Sequence, residues 1–123
     1  MPATLLDHVT ADMDIFREET FAPVKAIVRV RGVEQAIAVA NDNEFGLSSA
    51  VYGRDTARAW QVAARLETGI CHINGPTVHD EAQMPFGGVK MSGLGRENGT
   101  AAIEHYSQLK TVYVGMGAVE APY

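Results

Sequence analysis

The chain has 123 residues, 46% of them hydrophobic and 20% charged, with a formal net charge of −5. That length suits a single domain, and the composition is that of a globular chain rather than a disordered one. Its 10 Lys and Arg are scattered and form no basic stripe, which excludes a phosphate backbone as partner. No apolar run is long enough to span a bilayer, so no membrane role is read. The chain does not open on a basic segment followed by an apolar core, so no secretory signal is read either. A single cysteine excludes an internal disulfide framework and a Cys-based zinc cluster. A soluble, cytoplasmic protein is expected. The opening "MPATLLDHV" turns apolar almost at once, as a piece of something longer would.

In chain order, "TLLDHV" (4–9) is a short candidate strand. "VKAIVRV" (24–30) is a near-continuous apolar run with β-branched residues, the signature of a strand buried on both faces of a parallel sheet. Val33, Ala36, Ile37 and Ala40 then repeat at helical spacing. The turn chemistry of "NDNEFG" (41–46) stops that helix. "LSSAVYG" (47–53) reads as a strand, and Asp55 as the cap of a helix whose inner positions are Ala59, Val62, Ala63 and Leu66. Gly69 is expected to supply a left-handed stop. "ICHIN" (70–74) is a third strand. A connection of roughly twenty residues follows, long enough to imply a function. A helix over 100–108 and a strand over 109–115 close the chain. Strands alternating with helices predict an α/β fold with a parallel sheet. Ligands in such sheets bind beyond the carboxyl ends of the strands, which directs attention to the loop after Asn74.

Several stretches invite chemistry. "PFGGVKMSGLGRENG" is rich in glycine, but Asn98 stands where a third fingerprint glycine would fall, and no strand leads directly into it. The glycines read as devices for tight turns and close backbone approach. Cys71 lies within a strand beside Ile70 and Ile73, a poor setting for a reactive thiol. His72, His79 and Asp80 match no metal-ligand spacing; His79-Asp80-Glu81 either faces a substrate or is a solvated loop. Glu18 and Glu19 are adjacent and point opposite ways in an extended segment, so they do not form an acid–base pair. Glu19 could instead accept from a diol such as a ribose. Phe21, two residues on and so on the same side, could pack against a flat ring.

"EETFAPV" (18–24) resembles the Glu-Glu-(Ile/Leu)-Phe-Gly-Pro segment of the NAD(P)-dependent aldehyde dehydrogenases. "ANDNEFGLSSAVYGRD", "TGICHIN", "MPFGGVKMSGLGRENG" and "LKTVYV" continue the likeness in the same order, over nearly the whole chain. "INGPTVHDEAQMPFGG" resembles the branch acting on aromatic aldehydes such as salicylaldehyde, benzaldehyde or vanillin. The resemblance implies the last quarter of a longer subunit. Residues 1–108 would complete a three-layer αβα catalytic domain, and residues 109–123 would be an oligomerisation strand and tail. It implies NAD or NADP as cofactor, with Glu19 on the nicotinamide ribose hydroxyls and Phe21 beside the nicotinamide. It implies Phe86 on the wall of the aldehyde tunnel and Thr77, Val78 and His79 near its mouth. Strand 109–115 would pair with a neighbouring subunit, giving a homo-oligomer. The family's nucleophilic cysteine lies upstream of the "EETFAPV" segment, so Cys71 does not inherit the role and the isolated chain is expected to be inactive. Thr20 and Ala22 depart from the family pattern, and the Ala22 methyl bears on how Phe21 is set. The alternative from another class is a non-catalytic assembly module that pairs through 109–115.

Overall fold

A computed structural model describes residues 1–117. The chain is α/β, built as three two-stranded sheets with four helices among the described residues. Strand β1 (Thr4–Leu6) pairs in parallel with β2 (Val24–Ala26), and helix α1 (Asp14–Arg17) lies in the connection between them. Helix α2 (Gly32–Asn41) leads to β3 (Phe45–Gly46) and β4 (Ser48–Val51). Helix α3 (Thr56–Ala63) then carries the chain to β5 (Ile70–Ile73), which is parallel to β4. Strand β6 (Val89–Lys90) returns antiparallel to β3, and α4 (Gly99–His105) follows.

The β4–α3–β5 unit is the best-ordered part of the sequence pattern and the centre of the fold. Asp55 caps α3 as its position predicts, its carboxylate accepting the Arg58 N–H at 3.0 Å. Ala59 on α3 is buried, as are Ile37 on α2 and Val9 after β1. In the parallel register Ser48 lies beside Ile70, Ser49 beside Cys71, Ala50 beside His72 and Val51 beside Ile73. Val51 shares a cavity with Ala59 and Val62, so Ser49, Val51, Cys71 and Ile73 face α3. Alternation puts Ser48, Ala50, Ile70 and His72 on the opposite face.

Several expectations are corrected. The strand expected over 24–30 forms a ladder only over Val24–Ala26. Past it the pairing continues as single backbone bonds, Ile27 N–H to Leu6 O at 2.7 Å and Val9 N–H to Ile27 O at 3.1 Å. Nor is this segment buried on both faces, since Ile27 and Val30 are exposed. The single continuous sheet is absent among the described residues: β1–β2 and β4–β5 each stand alone. Residues 109–115 form no strand, because no described segment offers them a ladder partner, and Leu109, Val112, Tyr113 and Val114 stand in solvent. Residues 118–123 of the expected tail lie outside the described residues. The long connection is not structureless either. It contains β6 and an antiparallel bridge between Phe86 and Glu97.

Gly69 is not the left-handed stop its place after a helix suggests, since its φ is not positive. It is there for close approach instead: a Cβ at this position would fall inside the Gly87 carbonyl oxygen. Gly93 and Gly95 do have positive φ, 133° and 73°, which is the structural role expected of that loop. Lys90 locks the β3–β6 ribbon to the end of α2. Its Nζ donates to the carbonyls of Asn41 at 2.7 Å and Asn43 at 3.0 Å and pairs with Glu67 at 2.7 Å.

Where β1 and β2 end, Arg29 forms a two-point pair with the Asp7 carboxylate. That hydrogen bond, followed by the His8 N–H, lowers the Asp7 pKa from 3.8 to about 2. A depressed carboxylate pKa stabilises the fold above the unfolded value and ceases to do so as pH falls through the folded one. Urea midpoints are therefore expected to fall more steeply from pH 4 to pH 2 in the native protein than in Asp7→Asn, the two converging only below about pH 2. Both partners are solvent-accessible, so the difference is small and shrinks with added salt. Parallel pH profiles for the two proteins would remove this pair from the account.

Candidate functional site

Leu47 and Ser48, at the amino end of β4, lie at the junction of two open clefts. The first, of about 270 Å³, is walled by Leu47, Ser48, Thr77, Val78, His79, Asp80 and Phe86. All four residues expected at the aldehyde end thus meet in one place, and the walls they present are overwhelmingly apolar. Asp80 belongs to the cleft but its carboxylate accepts from Asn98 Nδ2 at 3.4 Å.

Local chemistry explains why the loop reaches this position. Asn74 leaves β5 in the left-handed region, φ 57°, which asparagine tolerates better than most residues. Its amide clamps Gly53 at both ends, accepting from the N–H at 2.8 Å and donating to the carbonyl at 2.9 Å. Ser48 Oγ then donates to the Thr77 carbonyl at 3.0 Å, tying the loop to β4. His72, on the same sheet face, meets His79 edge to face with ring centroids 6.3 Å apart. Phe86 is held from the other side by its bridge to Glu97, with N–H···O distances of 2.9 and 2.7 Å.

The second cleft, of about 320 Å³, is lined by Glu19 with Ala40, Phe45, Gly46, Leu47, Ser48, Ser49, Thr68 and Ser92. All four of its hydroxyls are already engaged, Ser48 Oγ by the Thr77 carbonyl. Ser49 Oγ and Thr68 Oγ1 lie 2.7 Å apart, and Ser92 Oγ accepts the Gly46 N–H at 2.9 Å. Glu19 is exposed and makes no hydrogen bond or ion pair among the described residues, so both carboxylate oxygens are available to a ligand.

Phe21 stands at a tight bend, with Ala22 N–H on Thr20 O at 2.9 Å, and a second bend follows at Pro23, with Val24 N–H on Ala22 O at 2.7 Å. Phe21 is 93% exposed and lines neither cleft. Cys71 is half-buried and faces α3, away from the His72 side that meets the loop. Leu47 and Ser48 were not among the expected site residues, and Asp80 entered only in the His79-Asp80-Glu81 stretch that either faces a substrate or is a solvated loop. Leu47 and Ser48 join the site only because β4 carries them between the two loops, a tertiary fact with no local signal. Asp80 was legible as a neighbour of His79.

A model of the Aldehyde dehydrogenase family matches residues 1–112. A vanillin dehydrogenase from Pseudomonas fluorescens is 57% identical over 119 residues, which are 97% of this chain and 25% of that protein. The crystal structure of a salicylaldehyde dehydrogenase from Pseudomonas putida G7 complexed with salicylaldehyde superposes with a TM-score of 0.95. It is 47% identical, over 100% of this chain and 25% of its own. An aldehyde dehydrogenase of Mycobacterium tuberculosis complexed with NAD+ gives a TM-score of 0.85 at 38% identity, over 94% of this chain and 23% of its own. The chain therefore spans about a quarter of the length of the relatives it matches. By sequence over nearly its full length, and by the fold of that quarter, this chain belongs to the aldehyde dehydrogenase family.

Proposed function

We propose that this chain is the C-terminal part of an aldehyde dehydrogenase subunit that oxidises an aromatic aldehyde to its carboxylic acid with NAD or NADP. The observation that carries the reading is the apolar cleft in which Thr77, Val78 and His79 meet Phe86. A pocket of this kind, largely apolar with few polar groups, suits a benzaldehyde-like ring. Proteins similar to this chain are named for vanillin and salicylaldehyde.

The adjoining cleft suits the cofactor's nicotinamide half. Glu19 presents two free acceptor oxygens, which is what a ribose diol requires. The nicotinamide, when bound, accepts the hydride. In this reading Glu19 fixes the ribose, Phe21 closes over the nicotinamide, and Leu47 and Ser48 separate the cofactor from the aldehyde wall. The 93% exposure of Phe21 leaves its ring available for such a contact. Residues 1–108 belong to the catalytic domain and 109–123 to an oligomerisation strand and tail. Within 109–115, Leu109, Val112, Tyr113 and Val114 offer a β-rich apolar edge suited to pairing with a neighbouring subunit. That pairing would add the segment as a strand to the partner's sheet, and the parallel pairs β1–β2 and β4–β5 would join a three-layer αβα domain. Cys71 faces away from the aldehyde cleft, so the 123-residue chain alone should turn over no aldehyde.

The test is Phe86→Ala in the longer subunit. Losing a buried phenyl contact is worth roughly 1.5–3 kcal/mol. That predicts a fall of about 10- to 100-fold in kcat/KM for benzaldehyde, against a much smaller fall for acetaldehyde, which has no ring to lose. Equal losses for both aldehydes would remove Phe86 from the substrate wall.

A further inference from the structure

Another open cleft lies at the other end of β4. It measures about 390 Å³ and sits between α2, α3 and the carboxyl end of the strand. Val33 and Ala36 of α2, Val51 of β4, and Ala59 and Val62 of α3 give it apolar walls. Arg54 and Arg58 close its rim. Four strand residues at about 3.3 Å each set it on the order of 10 Å from the Leu47 junction.

Arg54 and Arg58 share with Arg31 and Arg96 the lack of a carboxylate partner among the described residues. Arg17, Arg29 and Arg65 are each committed to a carboxylate. Arg54 and Arg58 form no ion pair or side-chain hydrogen bond among the described residues, and both are exposed. Asp55, the one carboxylate in the lining, is spent on capping: it accepts the Arg58 backbone N–H at 3.0 Å. The Gly53 N–H nearby is likewise taken, by Asn74. What remains is an apolar chamber whose rim carries two guanidiniums against one carboxylate, a surplus of a single positive charge.

We infer that this cavity binds an organic monocarboxylate with an apolar body. The chamber accepts the hydrocarbon part, and the guanidiniums offer planar, two-pronged donors that match a carboxylate. A monoanion neutralises the rim, whereas a phosphate dianion would leave an excess of negative charge. The site stands at the carboxyl end of a parallel strand, where open α/β sheets commonly take ligands. It uses none of the residues of the two clefts at Leu47, so it does not depend on the function proposed above.

Titration calorimetry of sodium benzoate into the 123-residue protein tests this, with benzamide as a neutral ligand of the same shape. One saturable benzoate site is expected, with benzamide at least about tenfold weaker, since ionic hydrogen bonds are roughly twice as strong as neutral ones. Arg54→Met with Arg58→Met should weaken benzoate at least about tenfold, the loss of one charge-assisted contact. Both side chains are exposed, so the double variant keeps its fold, and an unchanged circular dichroism spectrum verifies that. Benzoate binding that survives loss of both arginines would overturn the assignment, as would no saturable binding.

Discussion

Gly69→Ala is expected to be the most damaging single methyl that can be added to this chain. The new Cβ would overlap the Gly87 carbonyl oxygen and press on the Gly88 Cα, both of them backbone with no side chain to swing aside. Relief requires β5 and the 87–88 segment to separate. That shift reaches Phe86, because Phe86 is bonded to Glu97 immediately before the glycine pair. Overpacking of this kind costs about 3 kcal/mol or more. Gly53→Ala is the control. Its Cβ would find nothing nearer than 3.8 Å, so its effect should stay within about 1 kcal/mol. Urea midpoints separate the two. A Gly69→Ala protein as stable as Gly53→Ala would show that the two segments do not touch.

The second large effect is expected at Glu19. A hydrogen bond to a charged group is worth roughly 1.5–3 kcal/mol. Glu19→Ala in the longer subunit should therefore weaken NAD binding by about 10- to 100-fold. The loss should appear in the cofactor's dissociation constant, read by fluorescence titration, with benzaldehyde KM little moved. The two readouts differ because Glu19 lines only one of the two clefts that meet at Leu47. An unchanged NAD affinity would take Glu19 off the ribose.

Much of the local architecture is written in the sequence, because local rules decide it. The 3.6-residue spacing of Val33, Ala36 and Ile37 gave α2, and the Asp55 cap gave the start of α3. Segments that need a distant partner fared worse. Strands β3 and β6 are two residues each and exist only because Phe45 and Gly46 meet Lys90 and Val89. Residues 109–115 have the right β-forming composition, but a ladder needs a second strand, and no described segment supplies one.

The site divides the same way. Thr77, Val78 and His79 with Phe86 were legible because their motif is contiguous, and the structure does gather them. The placing of Glu19 and Phe21 on one side rested on strand-like alternation, whereas the chain at Phe21 is a tight bend rather than a strand. Leu47 joins both clefts through β4, which no local pattern announces. Gly69 was readable as a glycine that mattered, though its reason is contact with Gly87 rather than its own φ.

The central claim is that this chain supplies the cofactor-ribose and aldehyde-wall quarter of an aldehyde dehydrogenase. Its most direct test is an assay of NADH formation from vanillin. The assay compares the 123-residue chain alone with a chimera in which it replaces the matching quarter of the Pseudomonas fluorescens vanillin dehydrogenase. The account predicts no NADH from the chain and turnover from the chimera. NADH from the chain alone, or a folded chimera that binds NAD yet oxidises no vanillin, would contradict it.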